Sequence, residues 1–70
     1  MDLNWEDGFT IKVVCENGAA VISANREGLI SLANHLTALA AEAPGSHIHL
    51  DKWNSLEDGS AELVIERIED

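Results

Sequence analysis

Several things that small proteins often rely on are scarce in this chain. Cysteine occurs once, at Cys15, so no intramolecular disulfide forms and a four-cysteine metal site is excluded. Four basic residues face thirteen carboxylates, for a net charge of -9. Phosphate recognition needs lysine and arginine, so DNA, RNA and anionic membrane surfaces are poor ligands for such a chain. Aromatic side chains are confined to Trp5, Phe9 and Trp53. No apolar run approaches the roughly 20 residues that a membrane span requires. The opening MDLNWEDGF is acidic and lacks the basic start and apolar stretch of a signal peptide, so a cytoplasmic location is expected.

What remains is enough for one small domain. Apolar residues make up 46% of the 70 positions, an ordinary share for a globular chain. A chain this short buries only about 60% of its unfolded surface, and nine of its apolar residues are alanines. So thin a core makes dimerisation or a stabilising partner attractive. The acidity favours a basic partner and electrostatically steered association with it; the bland alternative is that it only keeps a small protein soluble.

The run FTIKVVCENGAAVISAN is a β-hairpin in pattern. Asn17-Gly18 supplies the two positive φ angles of a type I′ turn. That turn sets Glu16 opposite Ala19, Cys15 opposite Ala20, Val13 opposite Ile22 and Ile11 opposite Ala24. Phe9, Ile11, Val13 and Cys15 then share an apolar face with Ala20, Ile22 and Ala24. Cys15 is therefore expected to be buried rather than nucleophilic. A helix follows, with Asn25 as N-cap and Ala43-Pro44-Gly45 as its end. Leu29, Leu32, Ala33, Leu36, Leu39, Ala40 and Ala43 form the stripe expected to face the core. His35 falls at the edge of that stripe, as a surface or boundary residue. Gly28, in the first turn, lets the helix start lie close to the sheet.

HIHLD then alternates as a strand with Ile48 and Leu50 inward, and AELVIERI alternates with Ala61, Leu63 and Ile65 inward. Asp58-Gly59 is a second hairpin signal, which either closes a tight hairpin or caps a looser loop that begins after Asp51. In the open-loop case His49 pairs with Glu62; in the tight case Asp51 lies opposite Glu66 and Trp53 opposite Val64. The expected fold class is α+β in the order ββαββ, a small antiparallel four-stranded sheet with one helix packed on one face. It forms a single domain over 1–70, with 1–8 a loose lead-in from which Trp5 packs back on the domain and 69–70 a solvated tail.

Period two puts His47, His49 and Asp51 on the sheet face away from the helix, with Thr10, Lys12, Val14, Val21, Ser23, Glu62, Val64 and Glu66. Three readings compete. Histidines two apart on a strand can both reach one divalent ion, with Asp51 as a third ligand of a zinc-like site. A histidine beside a carboxylate can do general acid–base work, although a flat solvated sheet offers nothing that excludes water. The third reading is a polar binding surface; Trp53 is either an exposed anchor for a partner or folded over the sheet edge. No cofactor is expected apart from the metal of the first reading. A homodimer through the open sheet face, around Val14, is a further alternative.

The runs ANREGLISLANHLTALA, PGSHIHLD and LEDGSAELVIERI resemble the immunity protein 32 family of bacterial polymorphic toxin systems, over about residues 19–68. The resemblance implies a non-enzymatic protein that neutralises a cognate toxin. A basic, nuclease-like toxin is the kind of partner that an acidic plug would cover. It implies no catalytic residue; His47, His49 and Asp51 fall on matching positions of unassigned role. On this reading the partner-binding residues are His47, His49, Asp51, Trp53, Glu62 and Glu66.

Overall fold

A computed structural model describes residues 1–70, and its elements follow in the order β1 (Ile11–Glu16), β2 (Ala19–Ala24), α1 (Arg26–Ala40), β3 (His47–Leu50) and β4 (Leu63–Glu66). The ββαββ order holds. β1 and β2 pair antiparallel in the register that the Asn17-Gly18 turn demands, from Glu16 opposite Ala19 to Ile11 opposite Ala24. Asn17 and Gly18 take φ of 52° and 77°, as a type I′ turn requires.

The four strands form two two-stranded sheets, β1-β2 and β3-β4, rather than one continuous ladder. The cause lies in residues 57–61. Glu57 N–H donates to the Ile11 carbonyl at 2.9 Å and Ala61 N–H to the Val13 carbonyl at 2.7 Å, so this segment runs along β1. Between these bonds the chain turns at Asp58-Gly59, where Ser60 N–H closes on the Glu57 carbonyl at 3.2 Å. Val13 N–H then bonds the Ser60 hydroxyl instead of a carbonyl, at 3.1 Å. The two hairpins are stitched together, but the turn interrupts the ladder. Asp58-Gly59 thus closes no tight hairpin; it turns within the long loop between β3 and β4, the looser of the two expected forms.

The core consists of Ile11 and Val13 from β1, Leu32 and Leu39 from α1, Ile48 and Leu50 from β3, and Leu56 from the long loop. Ala61, Leu63 and Ile65 are half-buried against it, while Glu62, Val64 and Glu66 are exposed, as their alternation predicts. Leu56 looks like a loop residue in sequence, between Ser55 and Glu57. It is buried because Leu56 N–H bonds the Asp51 carbonyl and Ser55 adopts a φ of 88°, folding the loop back under the sheet.

The helix differs from its amphipathic reading by a rotation. Its buried residues are Gly28, Ser31, Leu32, His35 and Leu39, whereas Leu29 and Leu36 of the apolar stripe are 56% and 48% exposed. Ala33, Ala40 and Ala43 are exposed as well, and the helix ends at Ala40, before Pro44. The Asn25 side chain explains the rotation. It accepts from Gly28 N–H at 2.8 Å and from Thr10 N–H at 3.0 Å, and it donates to the Gly8 carbonyl at 2.9 Å. The first turn is therefore pinned to the start of β1 with Gly28 against the Thr10 backbone, where no side chain fits.

With Gly28 facing the sheet, His35 two turns on is forced inward. It is 1% exposed, not a boundary residue. Trp5 covers it, with ring centroids 4.0 Å apart at 74°, and Trp5 in turn stacks on Phe9 at 4.5 Å. The lead-in has no regular secondary structure but is docked: Glu6 N–H donates to Ser31 Oγ at 2.8 Å and Asn34 donates to the Asn4 carbonyl at 3.3 Å. Cys15 is exposed rather than buried, because the β1-β2 turn projects beyond the helix that would have covered it.

Candidate functional site on the outer face of β3 and β4

Alternation along β3 sends Ile48 and Leu50 inward, at 5% and 1% exposure, and leaves His47 and His49 in solvent. The helix covers the apolar face, so the imidazoles stand on the opposite side. β3 and β4 pair with His47 opposite Glu66, Ile48 opposite Ile65, His49 opposite Val64 and Leu50 opposite Leu63. Neither expected register occurs. Gly45 N–H and Arg67 N–H add bonds to the Arg67 and Ser46 carbonyls beyond the strand ends, and these hold the observed pairing. All three registers keep the same residues on the same face, so His49 still meets Glu62, now on the diagonal.

On that face His49 Nδ1 lies 3.7 Å from Glu62 Oε2, an ion pair when the imidazole is protonated. The His47 and His49 rings meet edge to face, with centroids 4.9 Å apart. His47 Nδ1 lies 3.2 Å from the Gly45 carbonyl, which suits a proton on that nitrogen. Glu66 stands across from His47, and Val64, 47% exposed, gives the face an apolar centre.

Asp51 is half-buried and differently employed. Its Oδ1 accepts from Trp53 N–H at 2.9 Å, and its backbone exchanges bonds with Asn54, so it organises the turn after β3. That turn holds Trp53 out into solvent at 85% exposure, with Lys52 Nζ 5.0 Å from the centre of its ring. The face thus brings together His47, His49, Glu62 and Glu66, with Trp53 beyond its end. No group of three or more His, Cys, Asp or Glu side chains is placed to hold a metal ion.

Water reaches both members of the His49–Glu62 pair, whose side chains are 52% and 59% exposed. The surface concavity of about 350 Å³ lies elsewhere, at the β1-β2 turn from Cys15 to Ala20, and contains neither histidine nor paired carboxylates. No helix is long and apolar enough to cross a membrane.

The chain matches no curated protein and no solved structure. Residues 20–68, from β2 through the end of the second hairpin, match the family model described as Immunity protein 32. That span carries the helix, the imidazole face and the Trp53 turn, and it covers well over half of the 70 residues: the chain belongs to the immunity protein 32 family.

Proposed function

We propose that this protein neutralises a cognate toxin by lying over its active site and presenting the outer face of β3 and β4 as the contact surface. The observation that carries this reading is the solvent-exposed set His47, His49, Glu62 and Glu66 beside a Trp53 that is 85% exposed, on a member of an immunity family with a net charge of -9. A large aromatic held in water by an ordered turn gives up apolar area on docking. The carboxylates attract a basic partner before contact and discriminate among partners once they are desolvated. Asp51 contributes by fixing the turn that aims Trp53.

The partner on this reading is a protein toxin with a basic active-site cleft, and the protein acts by binding, without catalysis of its own. Co-expression with the toxin gene from the same locus tests it. Cells are expected to survive only when this chain is present, and to lose protection when Trp53 and Glu62 are replaced together. Undiminished killing with the intact, folded protein would defeat the reading.

A further inference from the structure

β2 is the outermost strand of its sheet, paired on one side only. Asn25 N–H donates to the Thr10 carbonyl at 3.2 Å, continuing the β1-β2 ladder, so the odd-numbered residues of this stretch bond to β1. In an antiparallel ladder the alternate residues then direct their N–H and C=O groups the other way. Ala20, Ile22 and Ala24 thus offer three donors and three acceptors along a free edge. Natural edges are usually guarded by lysine, proline or a bulge; the strand AAVISA has none of these.

Beside this edge lies the apolar flank of α1 that the rotation left uncovered. At about 100° per residue, Leu29, Ala33, Leu36 and Ala40 point away from the flank where Ser31 and Asn34 receive the lead-in. Given the right-handed sense of the helix and the pairing of β1 with residues 57–61 on its other edge, this is the side above β2. Ile22, whose side chain shares the helix-side face with Val13, is 43% exposed there.

We infer that this flank is the surface through which two copies of the chain associate, β2 against β2 about a two-fold axis at Ile22. The register is set by the backbone. Pairing Ile22 with Ile22 of the second copy, and Ala20 with Ala24, uses every free donor and acceptor of the strand. It also brings the two Leu29/Leu36 flanks together above the joined sheets.

Charge identifies the occupant. No carboxylate stands on β2 or on the Leu29–Ala40 flank, so two chains of net charge -9 meet there without opposing acids. The outer face of β3 and β4, by contrast, would set Glu62 and Glu66 against their own copies. The same register carries the Glu16 end of the hairpin toward Arg26 of the second copy, whose side chain is 81% exposed. This inference does not rest on toxin binding.

Sedimentation equilibrium of the intact chain from micromolar to millimolar concentration tests it. A mass twice 7.6 kDa is expected. Ile22→Lys and Ile22→Glu should each sediment as monomers, because like charges then face each other across the axis, and an equimolar mixture of the two should regain the doubled mass. Circular dichroism shows whether each variant keeps its fold. If either does not, amide exchange on the intact chain decides: the N–H groups of Ala20, Ile22 and Ala24 should gain protection as concentration rises. A monomer throughout, a mixture of folded variants that stays monomeric, or protection that appears only when another protein is bound would overturn the inference.

Discussion

At position 28 a methyl group would collide with the Thr10 carbonyl oxygen and come within 3.0 Å of Ala24 Cβ and Ile11 Cγ1. Replacing a helical glycine by alanine ordinarily gains about 1 kcal/mol. Here overpacking costs of about 1–3 kcal/mol oppose that gain, and the rigid atom in the way is backbone. Gly28→Ala is therefore expected to lower the melting temperature by several degrees; a rise would show that the helix can lift off without penalty. His35 carries the other residue-scale consequence. Neither ring nitrogen finds a partner in good hydrogen-bond geometry; burial is the larger influence and pushes its pKa below the ordinary 6.5, while the nearby Asn4 backbone opposes it. The unfolded chain binds the proton more readily than the folded one. Stability from the neutral imidazole is thus in place above pH 6.5 and declines as pH falls below it. Urea melts of His35→Leu should show a shallower decline below pH 6.5 than the parent. At neutral pH the variant should be more stable by about 1 kcal/mol, since two unpaired buried polar atoms are gone.

Among the elements, the helix start shows most clearly how local chemistry overrides pattern. Leu29 and Leu36 read as core positions because apolar periodicity selects the richest stripe, but the Asn25 cap and the Gly28 contact set the rotation. Neither interaction leaves a periodic trace. The first hairpin was legible down to its register because a two-residue turn fixes every later pair. The second was legible only by face: its strands are joined by 12 residues that include a buried Leu56, and any even shift of register preserves the faces while changing the partners. His47 and His49 could be placed in solvent for that reason, whereas Glu66 and Val64 as their partners could not be foreseen. Asn25→Ala should cost about 2 kcal/mol in denaturant melts, since it removes a cap together with the tie to Thr10; Asn25→Asp should retain most of that. Leu56→Ala should cost about 2–4 kcal/mol by leaving a cavity under the sheet. A smaller loss would mean that the loop is not part of the core.

For the whole molecule, the acidity and the exposed face make a joint prediction about binding. Trp53 touches little within the chain, so Trp53→Ala should leave the melting temperature unchanged while weakening a toxin complex by about 2 kcal/mol, roughly 30-fold in Kd. Glu62→Lys should act differently, slowing association and flattening its dependence on salt. Stopped-flow association at two ionic strengths separates the two, and an equal effect of both variants on association alone would argue against Trp53 as an anchor. The split of the strands into two sheets bears on this scale as well. The imidazole face belongs to the second hairpin and the free β2 edge to the first, at opposite ends of the stitched sheet.

The two tryptophans stand in opposite circumstances, one wedged against Phe9 and an imidazole, the other held out in water. Their emission should therefore separate by colour and by access to an added quencher. Trp5 would signal whether the first nine residues have settled into place, and Trp53 whether a second protein has arrived, so the chain carries its own pair of optical gauges without a label.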